Sequence, residues 1–586
     1  MRVEQARLRM KQFLQTRWQA FFRTPFGCLV QLCISRMFHG GGEPGAGELD
    51  LGIGVIVIVL AMPGTLVSLL MFEKYGSLIR FLRGNRIFDP YTATLPDEYF
   101  FLTLSMVVTA AAALWRWDAL FLDRRDYTNL VPLPLPLRSI LFANLSAILA
   151  VAALLTFVVN ATSLILFPMA VVGSQGSFAV WIRFTLGHAL AVFTASVFSF
   201  FAVFAVAGLL MALLPAALFR RVSHAARFLV ALVLLTLIAS SFTVPYLLTQ
   251  LSVSTARKIA AVPPLSFLGL ARLVWLQGAD PFAWQVSKAA VAAVAMVVLI
   301  ALGAYALSFR RSFLRIPEIA DAGPLPRSRR AISLLAPLEK LLLRTAPQRA
   351  CYHFVARTLL RSDAHLQILL GFAALGMVLS AETLSSTTSV HALTSGDAPS
   401  ADFLSVPFVM AFCVIVGIRV AFENPADLRA NWIFRYWLVP AQQDARPIAR
   451  RVLLLFSLPW LIPIAFLSTV FFWGWSAALL HTAIFVACTI LLVEVVLIRF
   501  RKIPFTCSYP PFQSHSGLIV VAYLFGFFIF TSYLPQLERL SFFDNWQAIW
   551  FVPLVGAALL AVRHYRKQML DMDKQLIFEE PSASIF

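Results

Sequence analysis

An all-α, polytopic integral membrane protein is the fold class that this sequence predicts, and three observations predict it. Of its 586 residues 60% are hydrophobic and only 13% charged, more apolar surface than a core surrounded by water absorbs. The apolar residues run continuously, without the alternation of a half-buried strand. Many runs approach or exceed the roughly 20 residues that a helix rising about 1.5 Å per residue needs to cross about 30 Å of hydrocarbon. Inside a bilayer only helices and closed barrels satisfy their own backbone groups, and continuous runs select helices.

Twelve such runs fall into two sets of six. The first set covers residues 51–72, 99–115, 141–169, 184–214, 228–248 and 289–309; the second covers 366–384, 403–422, 452–473, 477–498, 518–534 and 549–562. The run from 184 is long enough to tilt or to project from the membrane, and the last two are the shortest. The implied organisation is a cytosolic amphipathic N-terminal segment (1–50), a first six-helix half (51–309) and a basic cytosolic connector carrying an amphipathic helix (310–365). A second six-helix half (366–562) and a cytosolic tail (563–586) complete it. Six spans per half is an even number, so the halves are expected to be parallel repeats about an axis along the membrane normal.

Orientation follows from the bases. With the N-terminus inside, the cytosolic segments hold 37 of the 48 Lys and Arg residues and the external segments 10, with Arg419 inside the eighth span. Positive loops stay in the cytosol, which places both termini there, in a cytoplasmic (inner) membrane. The net charge of +19 then reflects bases facing anionic lipid. These bases are scattered over many short loops, which argues against nucleic-acid binding.

The opening residues do not read as a cleaved signal: Arg2, Arg7, Arg9, Lys11, Arg17 and Arg23 precede an apolar run of only about ten residues. Leu8, Phe13, Leu14, Trp18, Phe21 and Phe22, interleaved with those bases, suit a helix lying at the cytosolic interface. Leu334, Leu335, Leu338, Leu341 and Leu342, beside Lys340 and Arg344, repeat the pattern ahead of the seventh span.

Cys28, Cys33, Cys351, Cys413, Cys488 and Cys507 form no C-x-x-C pair and fall in spans or on the reducing side, so no disulfide is expected. The nine histidines make no zinc-hydrolase spacing, and no G-x-x-x-x-G-K-[ST] phosphate loop occurs. No catalytic, cofactor or metal residues are assigned. If ATP drives this protein, another chain binds it.

The two halves match in the loop after the second span. In the first half Trp117, Phe121, Leu122, Asp123, Arg124, Arg125, Asp126, Tyr127 and Leu130 lead into Pro132, Pro134, Pro136 and Arg138. In the second, Phe422, Glu423, Asp427, Leu428, Arg429, Trp432, Phe434 and Arg435 lead to Pro440, then Arg446, Arg450 and Arg451. Each reads as a short amphipathic helix, a proline corner and a basic return. A second paired feature lies outside, between the fifth and sixth spans. Pro263, Pro264, Leu265, Phe267, Leu268, Leu270, Leu273, Val274 and Trp275 are too apolar for a free loop and too short to cross, which predicts a re-entrant or interfacial element. Leu534, Pro535, Leu537, Leu540, Phe542, Phe543 and Trp546 form its shorter counterpart.

On these features the chain resembles the permeases of type-2 ATP-binding-cassette exporters. Members carry six helices behind an amphipathic elbow, a cytosolic coupling helix after the second span and a re-entrant external hairpin between the last two. Arg124-Arg125 followed by Leu133-Pro134-Leu135-Pro136-Leu137-Arg138 is similar to the family's cytosolic loop, and Pro263, Pro264, Phe267 and Trp275 to its external element. The resemblance implies a partner, two copies of a cytosolic ATP-binding-cassette ATPase, contacted through Asp123, Arg124, Arg125, Tyr127, Arg138, Asp427, Arg429, Trp432 and Arg435. It implies no cofactor bound directly, since ATP acts through the partner, and no enzymatic activity in this chain. Against docking stands the plainer reading of these loops as solvated, lipid-facing basic segments.

Few polar residues occur inside the predicted spans. Glu494 and Arg419 lie near cytosolic ends, where pairing or snorkelling explains them as well as a substrate path does. His188, His481 and Asn160 are expected to be helix-packing contacts. Runs 431–435 (NWIFR) and 502–510 (KIPFTCSYP) carry no explanation beyond interfacial anchoring. A secondary transporter would place charge near the midplane, a membrane enzyme would gather His, Asp or Glu at an interface, and a scaffold needs neither. The apolar spans count against a secondary transporter and favour a lipophilic or amphipathic cargo, short external loops favour export, and the resemblance implies that ATP drives it; a secondary transporter or a non-transporting scaffold is the alternative.

Overall fold

The computed structural model describes residues 23–38, 46–82, 89–122, 124–173, 177–243, 262–311, 343, 346–385, 399–424, 446–498, 500, 502–506, 516–543 and 545–572. Every regular element among the described residues is helical, so the protein is an all-α membrane protein. Eight of these helices are long and apolar enough to cross a bilayer: Leu95–Trp115, Leu137–Val172, Phe178–Leu213, Val222–Ser241, Pro281–Arg311, His365–Leu384, Ala401–Ala421 and Ile448–Val496. Two compact units divide the chain, Met1–Ala225 with Val233–Leu325, and Pro326–Phe586 with Ala226–Leu232.

In the first unit α1 (Pro25–Phe38) opens where Thr24 Oγ1 accepts from Gly27 N at 3.0 Å and proline takes the first helical position. Next come α2 (Ala46–Leu82), α3 (Leu95–Trp115) and, past a 3₁₀ turn at Trp117–Leu120, the short α4 (Arg124–Leu130). Pro136, in extended conformation, turns the chain into α5 (Leu137–Val172), which ends at Gly173 with φ 50°. Ser177 caps α6 (Phe178–Leu213), its Oγ accepting from Val180 N. α7 (Ala216–Thr243), α8 (Pro263–Trp275) and α9 (Pro281–Arg311) complete the unit. Its core is aromatic, with Tyr99, Phe101, Phe167, Phe184, Phe267 and Trp275 all buried.

The second unit runs through α10 (Ala346–Arg361), α11 (Asp363–Ser385), α12 (Ala401–Ala421) and α13 (Arg446–Val496). α13 is two antiparallel limbs. Were it straight, Arg450 and Glu494, 44 residues apart, would be separated by about 66 Å. Their side chains meet at 3.0 Å. The fold-back is at Gly474 (φ 82°, ψ −177°), a conformation that side chains with a Cβ avoid, so the predicted ninth and tenth spans are these two limbs. α14 (Ser516–Phe528) passes through a π turn, Ile529–Tyr533, directly into α15 (Leu534–Phe543), followed by α16 (Asn545–Met572). The segment paired with α8 on sequence grounds is therefore a continuation of the preceding helix.

Predicted spans one, eleven and twelve lie on α2, α14 and α16, which are helical but not among the eight. The amphipathic pattern of 8–22, that of 334–342, the loop 427–440 and the run 431–435 lie outside the described residues. So do Asp123 and Cys507.

A side chain at Gly474 forces a backbone conformation that only glycine holds easily. Gly474→Ala is expected to cost about 1–3 kcal/mol, read as a lower thermal unfolding midpoint of the purified protein in detergent.

Candidate functional site

The loop after α3 is held by a dense polar clamp. Arg36, near the end of α1, pairs with Asp126 of α4 and donates through Nη2 to Ala119 O and to Asn144 Oδ1, both at 2.9 Å. Asn144, fully buried on α5, donates in turn to Leu120 O (3.1 Å) and Tyr305 Oη (2.9 Å) of α9. One guanidinium thus joins α1, the 3₁₀ turn, α4 and α5, and Asn144 extends the tie to α9. The half-buried guanidinium finds partners for both terminal nitrogens, Nη1 in Asp126 and Nη2 in the Ala119 carbonyl and Asn144. Arg116 Nε adds a bond to Met37 O at 2.7 Å.

Apolar anchors reinforce the clamp. Trp117, Leu120, Phe121 and Leu130 are buried. The Phe121 ring lies 5.3 Å from that of Phe204 and 6.2 Å from that of Tyr305. A Cβ on Gly208 would come 3.6 Å from the Phe121 ring and 3.1 Å from Ala304, so the missing side chain there keeps α6, α9 and the loop closely packed. Beyond these anchors the loop turns outward: Pro132, Leu133, Pro134, Pro136, Leu137 and Arg138 are exposed.

Of the residues expected to meet a partner, Arg124 and Arg125 open α4, Tyr127 is half-buried on it and Arg138 is exposed at the start of α5. Asp427, Arg429, Trp432 and Arg435 lie outside the described residues, as does Asp123. What leads into the second loop is visible: Glu423 pairs with both Arg419 and Lys502, and Asn424 O bonds His365 Nε2 at 2.8 Å. The start of the unexplained 502–510 run thereby acquires a role. Lys502 supplies charge to Glu423, while Ile503 and Phe505 are buried, Phe505 against Phe422 and His365.

Glu494 neither snorkels nor stands alone. It is completely buried and shared by Arg450 (3.0 Å), Arg563 (3.3 Å) and Arg566, which ties both limbs of α13 to α16.

α8 carries the residues expected in the external element. Pro264, Phe267 and Trp275 are buried and Pro263 is half-buried. Trp275 stacks on Phe184 at 4.8 Å and donates to its carbonyl at 3.2 Å, while Phe267 meets Phe198 further along α6. α8 therefore runs alongside α6, and Gly187 makes the approach feasible: a Cβ there would lie 2.3 Å from Trp275 Nε1.

Two features escaped the sequence reading. His188 Nδ1 of α6 meets Glu98 Oε2 of α3 at 2.8 Å, with both side chains fully buried. His481 Nδ1, on the second limb of α13, meets Glu538 Oε1 of α15 at 2.7 Å, again buried. Glu98 lay one residue before the predicted second span; the helix begins at Leu95, which brings it inside. Below His188 a polar seam continues, in which Ser196 Oγ receives Asn160 Nδ2 (2.9 Å) and contacts Ser105 Oγ (2.5 Å). The expectation of nearly apolar spans is corrected on this point. Asn160 and His188 do pack helices together, and His188 also has a buried carboxylate partner.

Compared with protein-family models, with curated proteins and with solved structures, the chain matches none.

Removing the Arg36 guanidinium frees α1 from the 3₁₀ turn, α4 and α5 at once. Arg36→Ala is expected to destabilise the first unit by on the order of 2–3 kcal/mol. Limited proteolysis checks this: cleavage should move to sites between Trp117 and Arg138 that resist in the unmodified protein.

Proposed function

We propose that this chain is the membrane permease of an ATP-driven exporter, with twelve spans in two parallel halves. It moves a lipophilic or amphipathic cargo across the cytoplasmic membrane, and a separate ATP-binding-cassette ATPase, in two copies, supplies the energy. The observation that carries this reading is the mounting of the loop after α3. A loop that transmits force has to be rigid where it joins the membrane helices and accessible where it is pushed. The Arg36–Asp126–Asn144–Tyr305 clamp and the buried Phe121 supply the rigidity. The exposed Pro132–Leu133–Pro134 tip and Arg138 supply the accessible surface. Nucleotide-driven approach of the ATPases would then bias the helix bundle between two arrangements, each favoured only by differential binding.

A proton-driven secondary transporter is the second reading, favoured by the buried His188–Glu98 and His481–Glu538 pairs, since ionisable groups inside a membrane bundle mark ion or proton sites.

Simultaneous Arg124→Glu and Arg125→Glu replacement separates the two. Co-purification of a phosphate-loop ATPase with the unmodified chain, lost in the double variant at unchanged membrane insertion, is the expected result. A chain that exports its cargo with no such ATPase present would establish the second reading.

Orientation has its own test. Cys28 is exposed on α1, whereas Cys33 is buried and burial pushes its thiol up to about 11, against the pull of Arg36. In a Cys507→Ser background, a membrane-impermeant maleimide at mildly alkaline pH should label Cys28 only in vesicles that expose the cytosolic face, and should spare Cys33. Labelling of Cys28 from the opposite face would reverse the topology.

A further inference from the structure

A carboxylate buried among helices is stable as an anion only if both oxygens are met by donors or cations. Glu494 obeys this rule, since Arg450 and Arg563 take Oε1 and Arg566 takes Oε2. Glu98 and Glu538 do not. Glu98 Oε2 and Glu538 Oε1 each face a histidine, whereas Glu98 Oε1 and Glu538 Oε2 are buried with no hydrogen-bond partner among the described residues. His481 Nε2 is bare in the same sense. All four side chains are 0% or 1% exposed. A purely structural ion pair has no reason to leave these atoms unmet, and no cluster of three metal-binding side chains exists among the described residues to make them ligands.

The hydrogen bonding around His188 fixes its proton inventory. Ser163 Oγ already donates to Asn160 O at 3.0 Å, so it faces His188 Nε2, at 3.4 Å, as an acceptor, and Nε2 carries a hydrogen. The hydrogen between His188 Nδ1 and Glu98 Oε2 is then a second one. With both present the pair is neutral overall, whether that hydrogen rests on nitrogen or oxygen. Release of one proton to water leaves a neutral imidazole beside a carboxylate, a net negative charge that nothing else in contact offsets.

We propose that each half of the chain contains an occluded proton-binding site, Glu98–His188 in the first and Glu538–His481 in the second, which takes up and releases one proton as the surrounding helices rearrange. Repetition carries the argument. In both units the histidine stands on the helix that follows α5 or the first limb of α13, while its carboxylate comes from α3 in one and from α15 in the other. The same chemistry is assembled twice from different acidic positions.

Other charges near each pair define its surroundings. Beside Glu98, Asp97 is held by Lys74 through both oxygens (2.6 and 2.7 Å) and by Tyr75, so that neighbour is already compensated. On α8, Arg272 is engaged with Asp280 at 2.7 Å, and α6 adds Arg183. α5 carries no ionisable group near Ser163, and at this end of α9 Lys288 lies over the Trp284 ring. On the elements around Glu538 the further ionisable groups are Asp402, Cys413 and Arg419 of α12, Arg446, Arg450, Arg451, Cys488 and Glu494 of α13, Arg563, His564, Tyr565, Arg566, Lys567 and Asp571 of α16, Tyr533 of the π turn and Arg539 on its own helix. Of these, Arg419, Arg450 and Glu494 are mutually paired or paired with Glu423. Neither proton site is therefore part of an acidic cluster. The proposal does not depend on an ATPase partner.

Infrared difference spectroscopy of the full chain in lipid, stepped through the range in which histidine and buried carboxyls titrate, tests this directly. The expected result is a pH-dependent difference signal in the carboxyl, carboxylate and imidazole bands, about half of it lost in Glu98→Gln, about half in Glu538→Gln and all in the double variant. Glutamine keeps the shape and one hydrogen bond, and an unchanged gel-filtration profile confirms folding. Should either single variant fail to fold, His188→Gln and His481→Gln are used, with a shifted or lost signal from the affected pair expected. A difference spectrum unchanged in the double variant, or with no pH-dependent carboxyl, carboxylate or imidazole signal in the unmodified chain, would overturn the proposal, whether or not an ATPase co-purifies.

Discussion

Glu494, shut off from solvent, gathers three arginines, and the same constraint acts on the buried polar side chains among the described residues. In a bilayer an unmet donor or acceptor has neither solvent nor lipid to turn to, so polar groups inside the bundle have to find each other. Where they do, they decide which helices touch. The Glu494 cluster draws the two limbs of α13 and α16 to one end of the second unit. Asn144 and Arg36 do the same for α1, α5, α9 and the loop after α3. Individual interhelical hydrogen bonds contribute only about 0.6 kcal/mol on average. The significance of these clusters is therefore geometric: they select one arrangement from many that apolar packing alone would allow.

Apolar packing supplies the rest, and close approach depends on what is absent. Gly187 admits the Trp275 ring, and Gly208 keeps α6 near α9 and Phe121. Aromatic side chains then fill the space, with the Phe184 and Trp275 rings stacked almost parallel at 9° and Phe101, Phe167 and His188 grouped at ring distances of 4.6 to 5.6 Å.

Helices were legible in the sequence because a continuous apolar run has one stable form in lipid. The hairpin at Gly474 was legible too, since a span and a return flank the Trp473–Gly474–Trp475 break. Their ends were less so. Window hydropathy falls at Leu95–Glu98, which hid the first turn of α3 and with it Glu98, although Pro96 stands at a position that opens helices. Glu538 was hidden differently. The segment from Leu534 to Trp546 was read as a separate interfacial element, yet α15 continues α14 through the π turn, a change of hydrogen-bond register placed just ahead of Pro535, which has no N–H to give. His188 and His481 were visible as residues but not as sites, because an ion pair between distant segments leaves no local pattern. Arg36 was read only as one more positive charge; its three partners lie 83 to 108 residues away.

α3 connects the two places where the polar chemistry concentrates. Glu98, in its first turn, faces His188; its last residue, Trp115, runs through Arg116 into the turn that Arg36 and Asn144 hold. Its 21 residues make a rod about 32 Å long with no internal glycine and with its only proline in the first turn. A rod of this kind does not bend to absorb a displacement at one end, and close-packed surroundings leave it discrete positions and not a continuum. Under the proposed proton chemistry, loss of the proton between Glu98 and His188 would weaken the contact that fixes α3 against α6 at one end. Under the proposed docking, a push on the loop would load the same rod from the other end. Both proposals therefore act on one mechanical element, and α3 is where the two would have to agree.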